Sequence, residues 1–114
     1  RVSLFINPST ESLINISEIL PDRVELYTFD FAKNFKHNTE EAIQPYLKVV
    51  QFLQQNTPSI SLNAGHDLNL KNLNYLLTEI PTIKEVSIGH ALVCDAFEYG
   101  LGDTIKKYLS ITKR

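Results

Sequence analysis

At 114 residues, 43% hydrophobic and 21% charged, the chain has the composition of one small folded domain and falls well short of the ~250 residues of a closed (β/α)8 barrel. A formal net charge of −2 and a pI near 5.9 leave no basic stripe, so nucleic acid is a poor partner; no apolar run nears the ~18 residues of a membrane span. The single cysteine, Cys94, excludes an internal disulfide and fits a reducing, cytoplasmic setting. Arg1 leads straight into a strand without Met or a signal peptide, so the expectation is a piece of a longer chain.

In chain order, four short β-branched or aromatic runs predict strands: Val2–Ile6, Val24–Thr28, Ile60–Asn63 and Val86–Ile88. Helix-length segments separate them. Pro8-Ser9-Thr10-Glu11 offers a start signal for a helix through Leu13, Ile16, Ile19 and Leu20. Asn38-Thr39-Glu40-Glu41 caps a second, carried by Ile43, Tyr46, Val50 and Leu53, with Pro45 expected in its first turns or ending a short lead-in. A third begins at Asn69-Leu70, runs through Leu73, Leu76 and Leu77 and stops near Pro81. Ala91–Tyr99 forms the next, and Asp103–Leu109 the last, after a break at Gly100-Leu101-Gly102.

The order β-α-β-α-β-α-β-α predicts parallel strands joined by helical crossovers. Two architectures fit: a small doubly wound sheet, or four units of a (β/α)8 barrel. Both place chemistry at the C-terminal ends of the strands. The residues there are Asn7, Glu25, Asn63, Gly65, His66, Asp67, Gly89 and His90, far more polar than the strands that deliver them.

Two Gly-His pairs stand out, in NAGHDLN at 63–69 and SIGHALV at 87–93. His66 is the candidate proton donor or acceptor, because an imidazole changes charge near neutral pH; the plainer alternative is a loop histidine bonded to backbone. Asp67 either sits beside that imidazole as a carboxylate or caps the following helix. Gly89 and His90 open a helix whose first N–H groups suit a phosphate, or they only turn the chain. Glu25 lies between Val24 and Leu26 on the opposite strand face. Inside a barrel such a carboxylate must be paired or catalytic, whereas on a sheet with one open face it is an ordinary surface group. Cys94 has no histidine at motif spacing and is expected to pack within its helix, and His37 is expected in a solvated polar connection. No spacing of the three histidines fits a metal site, and no phosphate-cradling glycine motif for nucleotides occurs, so neither metal nor cofactor is expected.

Four stretches, VSLFINP at 2–8, RVELYTF at 23–29, NAGHDLN at 63–69 and SIGHALV at 87–93, resemble in order and spacing the C-terminal half of the pyridoxine 5′-phosphate synthase family. The resemblance covers essentially all 114 residues. It implies strands five to eight of a (β/α)8 barrel, with the N-terminal half outside this chain. It further implies condensation of 3-amino-2-oxopropyl phosphate with 1-deoxy-D-xylulose 5-phosphate to pyridoxine 5′-phosphate, with release of phosphate and water. On this resemblance His66 is the proton-donating histidine, Glu25 the inward carboxylate that stabilises the transition state, and Asp67, Gly89 and His90 substrate contacts. The partners implied are small phosphorylated substrates and further copies of the chain in a multimer, an octamer in the family. Family members carry Gly where this chain has Asp67, and their remaining catalytic histidine and glutamate belong to the first half. This segment alone is therefore expected to be inactive. Two alternatives stand beside the synthase: another phosphate-sugar barrel, such as an isomerase or aldolase, and a self-contained non-catalytic α/β binding module.

Overall fold

A computed structural model describes residues 1–113. Four parallel strands, β1 (Ser3–Ile6), β2 (Arg23–Tyr27), β3 (Ser61–Gly65) and β4 (Ile83–Ser87), lie in the order β1-β2-β3-β4. Six helices connect and follow them: α1 (Ile16–Ile19), α2 (Phe29–Phe35), α3 (Thr39–Asn56), α4 (Leu73–Glu79), α5 (His90–Tyr99) and α6 (Leu101–Thr112). The predicted α/β alternation is thus present.

The strand register sorts every side chain onto one of two faces. Leu4, Val24 and Leu62 stand in one row, and Ile6, Leu26, Ala64 and Val86 in the next. These rows pack under the helices with α3, whose buried residues Ala42, Ile43, Tyr46, Val49, Val50 and Leu53 recur at helical spacing. Leu73, Leu76 and Leu77 of α4 extend the same core. The alternate rows, Phe5-Glu25-Asn63-Glu85 and Tyr27-Gly65-Ser87, point the other way. Phe5, 58% exposed within a strand, shows that this second face lies open. A doubly wound sheet reverses its strand order and covers both faces; this sheet does neither.

Several boundaries depart from the sequence-based expectations. The first crossover is not one helix but a 3₁₀ turn (Thr10–Leu13), capped by Ser9, and then a single turn, α1, which ends as expected at Leu20, where φ is 43°. The segment before Asn38 folds as α2, anchored by buried Phe31. Helix α3 starts at the Asn38 cap, whose side chain accepts from Glu41 N–H, and runs unbroken through Pro45. Asn69 to Asn72 form a turn, and α4 begins later, at Leu73. Only Gly100, at φ 84°, breaks the chain between α5 and α6; Gly102 is helical. Strand β3 extends to Gly65, and β4 begins at Ile83 with a bulge opposite Leu62/Asn63.

Candidate active site

The open face ends, at the C-terminal edge of the sheet, in the residues that the sequence singled out. Glu25 lies on it between fully buried Val24 and Leu26, and is itself half-buried. Its carboxylate occupies the space directly over Gly65 of the neighbouring strand. A Cβ at position 65 would collide with Glu25 Oε1 and would stand 3.2 Å from Ser87 Cβ. Gly65 therefore makes room for a carboxylate.

His66 and Asp67 follow with φ of 103° and 57°. Two consecutive non-glycine residues in left-handed conformations are unusual, and each costs roughly 1–3 kcal/mol unless its surroundings hold it. Here they do. Thr28, fully buried, donates its hydroxyl to the His66 carbonyl at 2.7 Å, while its N–H donates to the Gly65 carbonyl at 3.0 Å. Asn72 donates to the Asp67 carbonyl at 3.2 Å, and Leu68, 1% exposed, plugs the loop into the core. The left-handed φ at Asp67 explains physically why glycine suits this position, since glycine adopts it freely and Asp tolerates it better than most residues. Asp67 caps no helix. Its Oδ2 stands 3.4 Å from His66 Nδ1, and both side chains are about half exposed.

Beneath the loop, Tyr46 of α3 joins three segments. Its hydroxyl donates to the Tyr27 carbonyl at 2.7 Å and accepts from the Phe31 N–H at 3.2 Å. Burial pushes its pKa up to about 12, so it stays a neutral donor over all ordinary pH. Around the imidazole lies an aromatic wall absent from the sequence-based candidates. The Tyr27 ring meets His66 edge-on at 4.8 Å, Phe29 lies 6.3 Å from it, and Phe5 backs Tyr27 at 5.7 Å. The alternation that places Glu25 on the open face also places Tyr27 there, so that residue was available to a period-two reading.

Lower on the same face, Arg23 donates to Asn63 Oδ1 at 2.7 Å and pairs with Glu85 at 3.3 Å, and Arg1 pairs with Glu85 at 3.1 Å. Hydrogen bonding from Arg1, with Arg23 nearby, holds the Glu85 carboxyl below its usual range. This network also escaped the sequence reading, since it depends on register between three strands.

Gly89 and His90 lie two and three residues beyond β4, at the start of α5, where intrahelical bonding begins only with Leu92 and Val93 donating to the Gly89 carbonyl. The N–H groups of His90 and Ala91 thus belong to the unpaired first turn. Gly89 has φ −115° and open space where a Cβ would stand. One expectation fails here. Cys94 is exposed on α5, with its Sγ 3.4 Å from His90 Nε2 one turn earlier, because positions four apart share a helix face. His37 is exposed, as expected. Among the described residues no group of three or more His, Cys, Asp or Glu side chains is placed to hold a metal ion, and no helix is long and apolar enough to cross a membrane.

The family model described as "pyridoxal phosphate biosynthesis protein PdxJ" matches residues 1–114. The chain belongs to the PdxJ family. It is 46% identical over its whole length to a pyridoxine 5′-phosphate synthase of Cytophaga hutchinsonii, covering 47% of that protein. A synthase of Christiangramia forsetii is 40% identical over 113 residues, again with 47% of that protein covered. One from Bacteroides thetaiotaomicron is 43% identical over 108 residues, or 45% of its length. The chain spans about half the length of these curated relatives.

Proposed function

We propose that this chain supplies strands five to eight of a (β/α)8 barrel whose other four units lie outside residues 1–114. The whole enzyme condenses 3-amino-2-oxopropyl phosphate with 1-deoxy-D-xylulose 5-phosphate, closing the pyridine ring of pyridoxine 5′-phosphate and releasing phosphate and water. The observation that carries the reading is one open sheet face, singly wound, with Glu25 and the strained His66 at its C-terminal edge. Family membership and relatives named for this synthase support it.

In this reading His66 is the general acid. Leaving phosphate and hydroxyl oxygens depart with a proton instead of a full negative charge, an effect of typically ~10²–10⁴ in rate. The Glu25 carboxylate faces nitrogen-centred positive charge as the amine condenses and dehydrates, and stabilises it electrostatically. Free N–H groups at His90 and Ala91, at the positive end of α5, hold a substrate phosphate. Asp67 contributes its backbone N–H from a left-handed conformation that glycine adopts freely, while its carboxylate keeps phosphate away from that side. The enzyme acts in the cytoplasm as a multimer.

The test is direct. The intact protein that carries this chain, given both substrates, should form pyridoxine 5′-phosphate, and its His66→Ala variant should bind both yet lose at least ~10²-fold in kcat. Wild-type kcat in that variant removes His66 from the mechanism. Conversion of a phosphorylated sugar without the amine partner would instead support an isomerase or aldolase.

A further inference from the structure

The imidazole of His66 has little to hold its direction. Its polar neighbour is Asp67 Oδ2 at 3.4 Å, and both side chains are about half exposed. Its backbone, by contrast, is pinned through Thr28. What borders the ring is aromatic. Tyr27 presents its ring at 4.8 Å and 66°, and Phe29 at 6.3 Å and 81°, both edge-to-face geometries. Tyr27 and Phe29 stack on each other at 6.0 Å and 18°, and Phe5 supports Tyr27 from the next strand at 5.7 Å. The Tyr27 main chain cannot drift, since its carbonyl accepts from buried Tyr46. Three consecutive residues thus grip the histidine: Thr28 by its carbonyl, and Tyr27 and Phe29 by its ring.

We propose that Tyr27, backed by Phe29, is a positioning residue that sets the direction of the His66 imidazole. This inference rests on His66 being the proton donor proposed above. Tyr27 acts through its ring and not through its hydroxyl, so it neither donates nor accepts the reacting proton. A donor that swings away from the leaving oxygen loses rate steeply, with ~1 Å of misplacement costing about 10²-fold. Substrate phosphates are held elsewhere, so binding should barely change.

A double-mutant cycle in the intact protein tests this, using Tyr27→Leu, Tyr27→Phe, His66→Ala and the Tyr27→Leu/His66→Ala pair. Tyr27→Leu should lower kcat about 10- to 100-fold with KM within about twofold, whereas Tyr27→Phe, which keeps the ring, should restore near-wild-type turnover. On the His66→Ala background Tyr27→Leu should cost nothing further. A loss of the same size there overturns the proposal, as does a Tyr27→Phe defect equal to that of Tyr27→Leu. If Tyr27→Leu does not fold, Phe29→Leu takes its place, with a smaller loss of kcat that must likewise vanish without His66; a loss that persists there also overturns the proposal. Wild-type kcat in His66→Ala alone is a separate failure, that of the mechanism itself.

Discussion

The two faces of β2 belong to the same five residues and follow opposite rules. Val24 and Leu26 are fully buried against the helices, in rows of aliphatic side chains that cross all four strands. Arg23, Glu25 and Tyr27 alternate with them on the open face, where charge, hydrogen bonds and aromatic rings replace packing. The covered face accounts for why the chain folds. The open one bears groups that would be costly in a core and that contribute little to folding where they stand. The difference teaches that stability and chemistry are separable here residue by residue, at a spacing of one position along a strand.

That separation is open to attack from both sides. The largest effect is expected from Leu26→Ala in the intact protein, which empties a fully buried site and should destabilise the fold by about 2–5 kcal/mol in urea unfolding, while the folded fraction keeps its kcat. Gly65→Ala should do the reverse. Its Cβ displaces the flexible end of Glu25, so the fold should persist while kcat falls about 10²-fold in the intact enzyme.

Tyr46→Phe sits between the faces. It leaves the Tyr27 carbonyl and Phe31 N–H without their partner and should cost about 1–3 kcal/mol. It also has a pH signature. The native phenol stays protonated up to about 12 while the unfolded one ionises near 10, so wild-type stability should fall as pH rises between those values. Melting curves of Tyr46→Phe should lack that component. The smallest effect is expected from Glu85→Gln. The ion pairs to Arg1 and Arg23 lie on the open face, and melting should move by no more than about 2 °C. Since the native Glu85 carboxyl titrates below its usual value, even that contribution should disappear as pH falls through its folded pKa.

Much of the covered face was legible in the sequence. The aliphatic runs and the helical spacing of Ile43, Tyr46, Val50 and Leu53 suffice for the alternation of strands and helices. Period two alone assigns Glu25 to the face opposite Val24 and Leu26. Local chemistry hid other parts. Pro21 marks where α1 stops, but nothing in residues 10–15 announces the 3₁₀ turn and break that delay its start, so α1 was overextended. Thr28, which opens α2, spends its hydroxyl on the His66 carbonyl, so α2 was missed. The Gly-His pairs pointed at His66 and His90, yet the grip on His66 was invisible. Thr28 reaches it across 38 residues of sequence, and Tyr27 faces Gly65 only through strand register. The role of Gly65 was hidden for the same reason, since the atom it makes way for lies 40 positions earlier.

The central claim is that the open face at the C-terminal edge of the sheet is kept for catalysis and contributes little to folding. Glu25→Gln, measured for kcat and melting temperature in the same intact protein, tests it most directly. The expected result is a kcat at least ~10²-fold lower with melting unchanged within about 2 °C, since the amide keeps the shape and loses only the charge. Wild-type turnover, or a loss of activity matched by a loss of stability, would contradict it.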